Sequence, residues 1–80
     1  MTDREKYNIY NEMYNKCFEY QDKLTGIYLE RGYNVYCVYI SVSDEETRSY
    51  FVDIEIGGNP EKYSHIRRTM TEEQLLKLMA

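Results

Sequence analysis

Eighty residues, 42% of them hydrophobic and 30% charged, make a single domain over 1–80 with one modest core, and exclude a disordered chain. A formal net charge of −4 argues against direct binding to a phosphate backbone. No apolar run approaches the ~20 residues of a membrane span, and the opening MTDREKYN lacks the apolar stretch of a secretory signal, so the cytosol is the expected address.

From Asp3 to about Arg31 the apolar residues fall at helical spacing. Tyr10, Met13, Cys17, Tyr20, Leu24 and Ile27 follow one stripe, widened by Tyr7, Tyr14, Phe18 and Tyr28. Thr2 or Asp3 can cap the start, and Arg31-Gly32-Tyr33 reads as a stop with glycine in the left-handed position and an apolar residue after it. Thr25-Gly26 is the weak point, yet one long helix is the expectation.

Tyr33 to Val42 is a strand rich in β-branched and aromatic residues, with apolar side chains on both faces. The even set Tyr36, Val38, Ile40 and Val42 makes the better core. Tyr33, Val35, Cys37 and Tyr39 are then left on an outer face beside Phe51 and Tyr63. SDEET supplies a polar turn, and Arg48 to Ile56 is a clean second strand with Tyr50, Val52, Ile54 and Ile56 inward. Gly57 to Pro60, GGNP, is a second turn. Tyr63 to Met70 forms a third strand whose charges suit an edge, and Thr71-Glu72-Glu73-Gln74 is a capping box opening a short helix. The expected fold is therefore α+β in the order αβββα, a long helix on a three-stranded antiparallel meander with a short closing helix. That helix or a second molecule must cover the outer apolar set.

Chemistry-bearing patterns are sparse. His65 is the only histidine and shares its strand face with Tyr63 and Arg67, which is not a catalytic constellation. Gly57-Gly58 is followed by Asn-Pro, unlike a phosphate loop, and Asp44-Glu45-Glu46 lacks the spaced ligands of a calcium loop. Cys17 and Cys37 form neither a disulfide framework nor a metal pair. No enzyme, cofactor or metal is expected. Two features stand out instead. Residues 43–56 hold five carboxylates, Asp44, Glu45, Glu46, Asp53 and Glu55, against Arg48 alone. Ten tyrosines accompany two phenylalanines and no tryptophan, a composition suited to half-wet interfaces.

Helix–three strands–helix with an acidic patch on the meander resembles small phage and mobile-element inhibitors, some anti-CRISPR proteins among them. The resemblance is one of architecture and composition. It implies a protein that inhibits a host nucleic-acid-handling partner by occupying its basic channel, with Asp and Glu standing in for phosphates. Asp44, Glu45, Glu46, Asp53 and Glu55 are the candidate contacts, with Tyr39 and Phe51 as apolar anchors. Double-stranded-RNA-binding domains share the element order, but TEEQLLK is acidic where their phosphate contacts would lie. The alternative expectation is a homodimer paired through the outer face by Tyr33, Val35, Cys37, Tyr39 and Tyr63.

Overall fold

A computed structural model describes residues 1–58 and 62–80 and has the expected α+β order. Helix α1 (Asp3–Glu30) is followed by strands β1 (Asn34–Asp44), β2 (Ser49–Gly57) and β3 (Ser64–Thr71) and by helix α2 (Glu72–Met79). The strands form one antiparallel sheet in the order β1-β2-β3, so β2 is central and both neighbours are edges. Of the GGNP turn, Asn59 and Pro60 lie outside the described residues.

α1 begins where Thr2 Oγ1 accepts the Glu5 amide at 3.1 Å, with Asp3 and Glu5 at the positive end of the helix dipole. It runs unbroken through Gly26. Its 28 residues, at about 1.5 Å each, account for most of the 48 Å long dimension of the molecule. The end is a Schellman motif: Gly32 at φ 87° donates to the Leu29 carbonyl and Tyr33 to the Tyr28 carbonyl, each at 3.0 Å. The Tyr33 ring then meets Tyr28 edge-on at 5.9 Å.

The core lies on one side of the sheet only. Met13, Cys17, Tyr20, Leu24 and Tyr28 of α1 pack with Tyr50, Val52, Ile54 and Ile56 of β2 in one cluster. Ile40 of β1 and Met70 of β3 complete the sheet's contribution. α2 joins the same cluster through Leu75 and Met79, so it docks beside α1 and not on the outer face. Its capping box forms as expected, with Thr71 and Gln74 exchanging hydrogen bonds at 3.2 and 3.0 Å.

β1 departs from the expected alternation. Val35 pairs with Ile56 and Cys37 with Glu55, leaving Tyr36 as the extra residue of a β-bulge. A bulge exchanges the two faces of a strand, so the residues before it have the opposite parity to those after it. Val38, Ile40 and Val42 face inward as expected. Tyr36 does not: it is 60% exposed. Val35 and Tyr33, expected outside, instead pack against the core, Val35 because of the bulge and Tyr33 because the Schellman motif draws it onto Tyr28. Tyr10 is also more exposed than a core residue should be, because it sits on the rim of the buried helix face.

Candidate interaction surface

The outer face of the sheet is the surface to which most candidate residues come. Cross-strand register sets Cys37, Glu55 and His65 in one row, Tyr39, Asp53 and Arg67 in the next, and Ser41, Phe51 and Thr69 in a third. Tyr36 and Tyr63 extend the face toward the end of β2. A Cβ at Gly57 would lie 3.1 Å from Tyr36 Cε2, so the absence of a side chain at Gly57 is what lets that ring lie down. Tyr36, Tyr39 and Tyr63 are all exposed, and among the described residues no element covers them.

The two central carboxylates have partners across the strands. His65 Nε2 and Asp53 Oδ1 are 2.7 Å apart on a diagonal between β3 and β2. The Tyr63 hydroxyl donates to Glu55 Oε2, and this bond to a charged acceptor, ahead of burial, holds the phenol above its ordinary pKa. The Arg67 guanidinium lies 5.9 Å from the Phe51 ring centre, within cation–π range. The Cys37 thiol sits 3.8 Å from the Asp53 carbonyl oxygen. Burial first, and then the Asp53 and Glu55 charges, push its pKa up, which keeps it protonated and a poor nucleophile.

The acidic turn forms a second group at the far end of the sheet. Asp44 Oδ1 accepts the Glu46 amide at 3.0 Å, and Arg48 closes the turn at φ 50°. Glu46 turns toward α1 and meets Lys6 at 3.0 Å, while Arg48 lies 3.7 Å from Glu12. The Lys6 ammonium is accordingly held above its ordinary pKa, chiefly by the Glu46 hydrogen bond. Asp44 and Asp53 are separated along the hairpin by five residue steps of β1, roughly 15 Å at strand rise. The five carboxylates therefore form two groups, one at the turn and one mid-sheet, with rings between them.

A second aromatic surface emerges on α1 from Tyr10, expected in the buried stripe, and from Tyr7, Tyr14 and Phe18, expected to widen it. Tyr7, Tyr10, Tyr14 and Phe18 are all exposed. Tyr10 stacks on Tyr14 with ring centres 6.0 Å apart, and Tyr14 meets Phe18 edge-on at 5.2 Å. A groove of about 370 Å³ runs between Tyr10, Tyr14 and Phe18 and residues 39–42 of the β1 edge. In it Gln21 Oε1 accepts the Ile40 amide at 2.9 Å, capping an edge-strand donor that would otherwise be open to another strand. The signal was present in the sequence, since 7, 10, 14 and 18 follow helical steps of three and four, offset by one position from Met13 and Cys17.

Among the described residues no group of three or more His, Cys, Asp or Glu side chains is placed to hold a metal ion, and no helix is long and apolar enough to cross a membrane. No family model, curated protein or solved structure matches the chain.

Proposed function

We propose that the protein is a small non-enzymatic interaction protein of the host-cell cytosol. It binds and inhibits a basic nucleic-acid-handling protein, as the anti-CRISPR-like inhibitors it resembles do. The observation that carries this reading is the uncovered sheet face, where Asp53 and Glu55 stand among Tyr36, Tyr39, Phe51 and Tyr63. The carboxylates would meet Lys and Arg of the partner's nucleic-acid channel, and the rings would supply apolar anchors. The turn carboxylates Asp44, Glu45 and Glu46 would extend the negative track. Their present partners do not oppose this, because exposed pairs such as Lys6–Glu46 are worth little and exchange readily for a partner's cations.

The test is capture of a partner from a bacterial host lysate, followed by release with added DNA or RNA. The expected result is a basic protein that is released by nucleic acid and not retained by a Glu45→Lys/Glu46→Lys variant whose circular dichroism is unchanged. Retention by that variant would remove the mimicry mechanism. A second reading, a homodimer paired through the sheet face, is favoured by the exposure of Tyr36, Tyr39 and Tyr63 together on that face. It loses Tyr33 and Val35, which face the core.

A further inference from the structure

We propose that a second copy of this chain docks along α1, antiparallel, with Tyr14 of each copy close to the two-fold axis. The inference does not rest on the partner reading above, because the helix stripe carries it and, of the sheet-face residues that reading uses, only Tyr39 lines the groove as well.

The stripe is large and uncharged. Tyr7, Tyr10, Tyr14 and Phe18 are 66%, 40%, 48% and 52% exposed. At 150–250 Å² for a whole aromatic side chain, these four rings alone present roughly 400 Å² on each copy, about 800 Å² for a pair. The polar flank beside them takes the total past the ~1,000 Å² that a specific interface clears. Single exposed rings are ordinary on a monomer, but Tyr10, Tyr14 and Phe18 in contact along one row, with Tyr7 a helical step before them, are a patch.

The charges identify the occupant as the same chain. Arg4 and Asp22 are eighteen residues apart, about five helical turns, and so lie at one azimuth on the flank of the stripe away from the sheet. Between them that flank carries Asn11 and Asn15 and no charge. Both Arg4 and Asp22 are exposed, and among the described residues neither has an ion-pair partner within its own chain. In an antiparallel two-fold pairing like flanks adjoin and run in opposite directions, which brings Arg4 of each copy to Asp22 of the other. A parallel pairing would put unlike flanks together, leaving Arg4 and Asp22 of the two copies on opposite sides of the interface and unable to pair. The shape agrees with the charge. An isologous interface needs protruding and receiving features on one surface, and here the protruding rings stand beside the 370 Å³ groove between α1 and the β1 edge.

Sedimentation from about 10 µM to several hundred micromolar, the range of modest interfaces of this size, is expected to show a monomer–dimer equilibrium. Tyr14→Arg is expected to give a monomer with unchanged circular dichroism, since Tyr14 is half exposed and is not part of the buried core. Arg4→Asp and Asp22→Arg are each expected to raise the dissociation constant about tenfold, by setting like charges opposite at both ends. The double variant Arg4→Asp/Asp22→Arg should return it to within about threefold of the wild type. A wild-type monomer throughout the range overturns the proposal. So does a dimer that survives Tyr14→Arg but is broken by Tyr63→Arg, which would mean pairing through the sheet. Failure of the double variant to recover what the single reversals lose overturns the antiparallel arrangement.

Discussion

At the centre of the core Tyr50 is fully buried, and its hydroxyl is the one buried side-chain oxygen among the described residues with no hydrogen-bond partner. Its ring meets Tyr20 edge-on at 5.7 Å, and burial drives the phenol pKa far up. Tyr20 is the contrast: its hydroxyl donates to Glu72 Oε1 at 2.8 Å. The two Tyr→Phe substitutions are therefore expected to move stability in opposite directions. Tyr50→Phe should raise it by about 1 kcal/mol, since an unmade buried hydrogen bond costs about that much, which is roughly 4–8 °C in the melting temperature of a domain this size. Tyr20→Phe should lower it by about 1 kcal/mol, since the part-buried Glu72 carboxylate loses one of its two side-chain donors and keeps Lys16 alone. Thermal melts of both variants check this, and a destabilised Tyr50→Phe would show that the hydroxyl takes a partner. None of this was legible in the sequence, which marks Tyr50 as inward but carries no sign of what stands opposite its oxygen. The same limit applies to Tyr36, Val35 and Tyr33, whose faces depend on a bulge and a helix stop and not on alternation alone.

Among the elements, α1 was read nearly to the residue, because its caps and apolar spacing agree with one another. The doubt at Thr25-Gly26 resolves into a helix that simply tolerates both. Thr25 Oγ1 donates to the Gln21 carbonyl at 2.7 Å, and nothing lies within 4 Å of a Cβ built on Gly26. Gly26→Ala should then stabilise the protein by roughly 0.5–1 kcal/mol through lost chain entropy in the unfolded state. A urea titration with unchanged slope and a higher midpoint is the expected result, and a lower midpoint would mean that the helix needs to bend there. β1 was harder to read for a physical reason: with apolar side chains on both faces, neither register exposes more than the other. Only pairing with β2 decides, and it does so by expelling Tyr36.

For the molecule as a whole, Glu72 is the joint between its parts. Its Oε1 accepts from Lys16 at 3.0 Å as well as from Tyr20, and its amide donates to the Arg48 carbonyl at 3.1 Å. One side chain thus ties the start of α2 to α1, and one backbone bond ties it to the β1–β2 turn. The Tyr20 hydrogen bond, helped by Lys16, holds the Glu72 carboxyl below its ordinary value of 4.5 against the opposing effect of burial. A depressed carboxyl stabilises the fold above its unfolded pKa and loses that contribution as pH falls through the folded one. Burial first, and then Glu72, push the Tyr20 phenol up from 10.0 to about 12. A raised phenol contributes fully below its unfolded value and loses its contribution as pH rises through the folded one. Stability should accordingly be flat between about pH 5 and about pH 10 as far as this joint is concerned, and decline on both sides. Glu72→Gln should cost about 1 kcal/mol at neutral pH and flatten the acid limb, as read by urea unfolding at about pH 7 and about pH 3. The order αβββα was legible at this scale, but the side on which α2 docks was not, since Leu75, Leu76, Leu78 and Met79 offer apolar surface in more than one direction.

The bulge at Tyr36 also bears on how this chain tolerates changes in length. Val35 and Cys37 already pair with consecutive residues of β2, Ile56 and Glu55. Loss of the Tyr36 codon would leave a regular ladder with every remaining side chain on its present face. Loss of any one codon from Val38 to Val42 would reverse the faces of part of the strand and turn core residues toward water. Deletion of Tyr36 is thus expected to leave the melting transition cooperative, where deletion of a single residue between Val38 and Val42 abolishes it, as thermal melts of the two shortened chains would show.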